Sequence, residues 1–294
     1  MAHTICGEGG AMTDQVHTVR PPAVAGFFYP ADPTEVAEEA DRLLARASAQ
    51  LVASEHNWTP KALVVPHAGW EWSGDLAALG WQTLAPRRRT ITRVVLLGPT
   101  HRVGIRGIAL PGSDFFRTPL GDLPIPTHEV LAATSDLPRP VTVDSLTHAE
   151  EHAIEVQVPF IQRVLGTVNL VPLNVGMATP TEVADVIEAL WGERSTVVAV
   201  SSDLSHYHDA ATARALDAAT IEQVLTLSGP VAHDRACGAS PLNGLLEVCR
   251  RRGLSPHLLG AHNSGDVPGG GGDHVVGYAA FAIEEEHHDT PSST

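Results

Sequence analysis

The chain has 294 residues, with 34 acidic against 19 basic side chains and a formal charge of −15. That balance speaks against general nucleic-acid binding, which depends on clustered Lys and Arg, and the run Arg87-Arg88-Arg89 reads as a solvated loop. The three cysteines (Cys6, Cys237, Cys249) are widely spaced with no Cys-x-x-Cys pair, there is no signal-peptide pattern and no run of membrane-spanning length, so a reducing cytoplasm and no membrane are expected.

Residues 1–19 are Gly-rich and aperiodic and are expected to form a flexible tail; residues 286–294 are expected to be a disordered one. Between them, 20–285 reads as one α/β domain, a size that buries roughly 75% of the unfolded surface and needs no disulfides. In chain order, Asp32-Pro33-Thr34-Glu35 reads as a capping box opening a helix with apolar Val36, Ala40, Leu43, Leu44 and Ala47. A strand over 61–66, a helix around 73–84 and a strand over 93–97 follow. Residues 104–126 are rich in Gly and Pro and read as hairpins or loop excursions. A helix around 152–165 then precedes a strand over 169–175. Thr179-Pro180-Thr181-Glu182 opens another helix to about 191, followed by a strand over 196–201. Helices near 209–227 and 241–251 and a strand over 275–283 complete the pattern. Alternating strands and helices predict a mainly parallel central sheet flanked by helices.

Three of the apolar runs break off at polar clusters containing histidine. Ala62-Leu63-Val64-Val65 runs into Pro66-His67, Val94-Val95-Leu96-Leu97 into Gly98-Pro99-Thr100-His101, and Val197-Val198-Ala199-Val200 into Ser201-Ser202-Asp203-Leu204-Ser205-His206. Ligands of open α/β sheets bind beyond the carboxyl ends of such strands. The three clusters therefore suggest a metal or acid–base site, although either histidine alone could equally cap a helix or sit hydrogen-bonded in the core. Asp203 and His206, three apart, would share a face of a helical turn, and an Asp beside a His can fix its tautomer and raise its basicity. Cys237 precedes a helix that Ser240 would cap with Pro241 at its first position; a thiol there would be acidified and fit to bind metal or act as nucleophile. Cys249 reads as a buried core thiol and Cys6 as a tail thiol. His148-Ala149-Glu150-Glu151-His152 formally fits an inverted zinc-protease helix, but leaves the three strand-end clusters unexplained. His152 and Glu155, placed on one helical face, suit a supporting or substrate-lining role, and Trp70 could wall a pocket or pack in the core. No phosphate loop and no Gly-x-Ser-x-Gly elbow is present.

Pro66-His67-Ala68-Gly69-Trp70, Gly98-Pro99-Thr100-His101, Glu151-His152-Ala153-Ile154-Glu155-Val156-Gln157-Val158-Pro159-Phe160, Ser201-Ser202-Asp203-Leu204-Ser205-His206 and Cys237-Gly238 resemble the MEMO family in order and spacing, as does the opening Arg20-Pro21-Pro22-Ala23-Val24-Ala25-Gly26-Phe27-Phe28-Tyr29-Pro30. Bacterial and archaeal members are called AmmeMemoRadiSam system protein B, which implies a radical S-adenosylmethionine protein and an AMMECR-type domain as partners. The family is similar in fold to class III extradiol dioxygenases, which hold Fe(II) on two histidines and a carboxylate. By that resemblance His67 and His101 are metal ligands, Cys237 supplies a thiolate in place of the carboxylate, and His206 is the acid–base histidine with Asp203 as its partner. A thiolate in the donor set admits Cu or Zn as well as Fe(II). The implied function is a metal-dependent, dioxygenase-like oxidoreductase. The alternative is a non-catalytic metal-binding protein whose cleft docks a small molecule, a peptide or a companion protein.

Overall fold

The computed structural model describes residues 17–285 except 55 and 272. Of the tails predicted at 1–19 and 286–294, residues 1–16 and 286–294 lie outside the described residues; residues 17–19 are described, and Val19 already belongs to a strand, β1 (Val19–Arg20). Helix α1 (Pro33–Ala53) starts where Asp32 Oδ1 accepts the Thr34 and Glu35 amides at 2.8 and 3.1 Å, and it buries the five predicted apolar residues. There follow β2 (Ala62–Val65), α2 (Trp70–Gln82), β3 (Arg93–Pro99), β4 (Ile108–Leu110), β5 (Phe115–Thr118), β6 (Gly121–Pro124), α3 (Thr127–Thr134), β7 (Thr142–Val143) and α4 (Ser145–Ala149). The second half runs α5 (Val158–Leu165), β8 (Asn169–Val175), α6 (Pro180–Ala189), β9 (Thr196–Ser201), β10 (His206–His208), α7 (Ala210–Leu225), α8 (Ala239–Arg252), β11 (Leu254–Asn263) and β12 (Val275–Glu285).

The centre of the large sheet is parallel, in the order β2-β9-β3-β8. These strands are almost wholly buried runs of Val, Leu and Ala, the composition of a sheet covered on both faces. The margins are antiparallel. β12 runs against β2 over Phe281–Ile283 and pairs along its length with β11, while β4 runs against β8. The sheet is therefore mixed rather than uniformly parallel. Between β11 and β12, the described residues of 264–274 hold a 3-10 turn at Ser264–Asp266 and no longer helix, too little for a crossover, and the two strands pair antiparallel. A second, small sheet joins β1 parallel to β5 and closes β5 onto β6 as a hairpin, which gives the predicted Gly/Pro-rich excursion its structure.

Helix α6 opens on a full capping box between Thr179 and Glu182 and packs on α8. The two helices approach so closely that a Cβ on Gly244 would stand 2.2 Å from Val183 Cγ1, so only glycine fits there. No helix among the described residues is long and apolar enough to cross a membrane.

Candidate metal centre

Strands β2 and β3 are not neighbours: β9 runs between them. Their carboxyl ends nevertheless converge, with the His67 and His101 rings 5.2 Å apart between centroids. The intervening strand contributes the groups that support them. Ser201, the last residue of β9, gives its hydroxyl proton to the Ala153 carbonyl at 2.7 Å. Its oxygen is thereby left to accept from His67 Nδ1–H at 2.9 Å, so the His67 lone pair lies on Nε2, which faces Cys237 Sγ at 3.2 Å. The His67 amide donates to Asp203 Oδ1 at 2.7 Å, and the other oxygen of Asp203 stands 4.0 Å from His67 Nε2.

His101 is fixed in the same sense by a different group. Its Nδ1 donates to Glu151 Oε1 at 2.9 Å and its amide to Oε2 at 2.5 Å. A carboxylate only accepts, so Nδ1 carries the proton and Nε2 the lone pair. Glu151 is itself buried; burial would raise its pKa, but the hydrogen bonds from His101 and His152 hold it well below the usual carboxylate range. His152 Nδ1 lies 3.2 Å from the same Oε1 atom; its ring is tilted 31° against that of His101 at 4.7 Å and meets that of His67 edge-on at 5.3 Å. Phe28 covers its outer side at 4.6 Å.

Two overlapping donor groups result, each with its ligand atoms within 4.8 Å of one another: His67, His101 and His152, and His67, Asp203 and Cys237. His67 belongs to both, and the predicted ligands His101 and Cys237 fall one to each side of it. Burial, with the His152 and His101 charges adding to it, keeps His67 neutral well below its ordinary pKa, the form that offers a lone pair. The same burial pushes the Asp203 carboxyl up, against the bond from the His67 amide.

Several sequence expectations change in this setting. The Cys237 thiol is pushed up, not down, first by burial and then by Asp203. Helix α8 begins at Ala239 with Gly238 rather than Ser240 as its cap, and no side chain caps it. Gly238 is required: a Cβ there would stand 2.6 Å from Ser202 Cβ, and the Gly238 amide donates to Ser202 Oγ at 3.0 Å. Asp203 and His206 share no helical turn, since 202–205 is irregular and His206 begins β10. The tautomer of His206 is set by its Nδ1 donating to the Leu204 carbonyl at 2.8 Å, which leaves its Nε2 unprotonated when neutral.

His152 and Glu155 share no helical face either. Helix α5 starts only at Val158, after a 3-10 turn at Glu155–Gln157. Glu151 Oε1 accepts the His152 and Ala153 amides at 3.0 and 3.1 Å and so competes with helical pairing. Glu155 points away from the histidines: it is fully buried, ion-paired with Arg20 and bonded to the Ala23 and Val24 amides and the Tyr29 hydroxyl. Trp70 is also buried, stacked between Tyr29 and Phe160 with its indole N–H on the Val156 carbonyl. The His-x-x-Glu-His reading fails because α4 ends at Ala149 and His148 Nε2 is occupied by the Ala109 carbonyl at 2.9 Å, in neither donor group.

Glu151, Ser201 and Gln157 were missed as site residues. Gln157 is fully buried, accepts the Trp81 indole N–H at 2.8 Å and donates to the Pro66 carbonyl at 2.7 Å, immediately before His67. Glu151 could have been found in the sequence, as an acidic residue beside a candidate histidine; Ser201 and Gln157 carry no such signal.

A MEMO1 family protein of Methanosarcina barkeri is 35% identical over 280 residues, 90% of this chain and 100% of its own. One of Methanopyrus kandleri is 36% identical over 284 residues, covering 90% and 98%, and one of Thermotoga neapolitana 31% over 282 residues, covering 90% and 99%. A solved structure of an uncharacterized protein from Escherichia coli K12 is 12% identical with a TM-score of 0.49, across 77% of this chain and 100% of that one. The model of the Memo-like protein family matches residues 20–282, and the chain belongs to that family.

Proposed function

We propose that this protein is a metal-dependent oxidoreductase with one divalent ion bound at His67, His101 and Cys237, Fe(II) before Cu or Zn. The observation that carries the reading is the fixed tautomer of both imidazoles. His67 and His101 each spend Nδ1–H on a buried partner, Ser201 or Glu151, and each presents an Nε2 lone pair. That outer partner is the usual companion of a metal-ligating histidine. The mixed imidazole and thiol donors suit Fe, Cu and Zn better than Mg or Ca.

Iron bound there would supply one-electron and O₂ chemistry, which no side chain of the site can. The protein's own part is positioning and proton movement. Cys237 must give up its proton to ligate, and the Asp203 amide, 3.3 Å from Sγ, would support the resulting anion. His206 is half-buried with Nδ1 on the Leu204 carbonyl, and the free Nε2 of its neutral tautomer is the atom that would accept or return a proton at the substrate. Its partner is then the Leu204 carbonyl rather than Asp203.

The test is metal content of anaerobically purified protein, followed by oxygen uptake with candidate catechols. Wild type should hold about one ion per chain and His67→Ala, which removes the residue common to both donor groups, almost none. Full metal in His67→Ala would overturn the reading. Bound metal without turnover would leave a metal-binding protein that works with partners, for which family resemblance offers a radical S-adenosylmethionine protein and an AMMECR-type domain.

A further inference from the structure

A cleft of about 550 Å³ opens at the carboxyl ends of β3 and β8 and has Cys237 in its lining. One wall is apolar, made by Ile105, Val175, Met177 and Ala178, and Met177 leaves 68% of its surface exposed there. Beside this wall stands Arg106. Its side chain is exposed and makes no hydrogen bond or ion pair among the described residues. The other guanidinium of the cleft, Arg139, is already matched: its Nε donates to Glu182 Oε1 at 2.6 Å, and Glu182 Oε2 accepts the Thr179 amide.

The backbone carrying Arg106 is tied down. Gly107 donates to the Met177 carbonyl at 3.0 Å, Gly176 to the Gly107 carbonyl at 3.0 Å and Met177 to the Ile105 carbonyl at 2.8 Å. Helix α8, whose cap Gly238 brings no side-chain oxygen, also turns its first residues, at Ser240, toward the cleft. The cleft thus offers one uncompensated guanidinium, the positive end of a 14-residue helix and an apolar wall, in a chain whose overall charge is −15. A monoanion with an apolar body matches those features; a dianionic phosphate would exceed the single free charge.

We propose that the cleft binds a small carboxylic acid with an apolar or aromatic body, its carboxylate held by Arg106, its body on the Met177 wall and its far end at Cys237. This names the substrate class of the proposed oxidoreductase and rests on that reading for the reaction, but not for the binding. A planar guanidinium pairs with a carboxylate through two parallel N–H bonds and discriminates against an uncharged amide of the same shape.

The experiment is calorimetric or NMR titration of metal-free full-length protein with 4-phenylbutanoate and with its neutral amide, repeated in Arg106→Gln, Arg106→Lys and Met177→Asn. Without metal, the carboxylate has no ion to ligate. Wild type should prefer the acid by at least about tenfold, a preference that narrows as salt is added. Arg106→Gln should erase it with little change for the amide, Arg106→Lys should keep part of it, and Met177→Asn should weaken both probes alike. Equal affinities in wild type, a preference that survives Arg106→Gln, or failure of the acid to bind would each overturn the proposal. Loss of metal binding in the wild-type protein with the Arg106-dependent preference intact would instead overturn only the oxidoreductase reading.

Discussion

His148 should set an acid limb of stability independent of the metal. It is 2% exposed and its Nε2–H is spent on the Ala109 carbonyl. Burial first, with the Arg20 charge adding and the Ala109 bond opposing, lowers its pKa from 6.5 to about 4. The unfolded chain therefore binds a proton that the folded one refuses between those values, and stability must fall as pH falls through that window. With these pKa values the penalty is about 0.2 kcal/mol at pH 7, about 2 kcal/mol at pH 5 and about 3 kcal/mol at pH 4. His148→Gln keeps a donor for Ala109 but cannot titrate. Urea unfolding of metal-free wild type and variant at pH 7 and pH 5 should give a stability difference that shifts by about 2 kcal/mol in favour of the variant at the lower pH. His67 and the carboxylates titrate in both proteins and largely cancel in this comparison. A difference constant to within about 0.5 kcal/mol would refute the reasoning, because the imidazole would then not be held neutral by burial.

Glu151→Gln should weaken metal binding about 10–100-fold by loosening His101, with the fold retained by circular dichroism; unchanged affinity in a competition titration would show that the carboxylate does not orient a ligand. Gly238→Ala must displace either Cys237 or Ser202, so metal content should fall sharply while Gly244→Ala, at the α6–α8 contact, lowers stability instead. Glu155→Gln leaves the buried Arg20 without its counter-charge and should cost about 3–5 kcal/mol in urea unfolding; the metal bound per folded chain should not change, and its loss would show that the loop Glu155 anchors over His152 is needed to hold the ion. Burial pushes both the Cys237 and Cys249 thiols up, so access sets the order: Cys249 is fully buried and Cys237 partly exposed, and alkylation followed by mass spectrometry should modify Cys237 first, slowly at neutral pH, with added Zn(II) suppressing it. A rate at Cys237 that metal leaves unchanged would remove it from the ligand set.

The parts of the fold that were legible in the sequence are those where one local pattern has one solution. β-branched runs buried on both faces gave β2, β3, β8 and β9, and capped apolar periodicity gave α1 and α6. What escaped was decided by distant pairing. Val19–Arg20 is a strand only because Phe115 and Phe116 lie beside it, and β11, broken by Pro256 and Gly260, is held by its register with β12. The histidines and Cys237 could be named because strand ends are where ligands meet, but the acidity of Cys237 could not. A helix N-terminus argues for a low thiol pKa, whereas burial beside Asp203 argues for a high one, and only the structure shows that the second dominates.

The segment 151–157 explains why so few residues can position so many donors. Taken alone its apolar spacing reads as the start of a helix, yet four of its alternate residues each serve a different part of the site. Glu151 orients His101, the Ala153 carbonyl fixes the Ser201 hydroxyl that orients His67, Glu155 anchors Arg20 and the loop bearing Phe28, and Gln157 holds the Pro66 carbonyl. A regular helix would spend these backbone groups on itself and turn the four residues to different sides. Irregular backbone is thus the condition for one short segment to reach strands β2, β3 and β9 together. The buried Arg20–Glu155 pair acts at one remove from the metal: it fixes the loop that lays Phe28 against His152, and so closes the outer side of the histidine cluster.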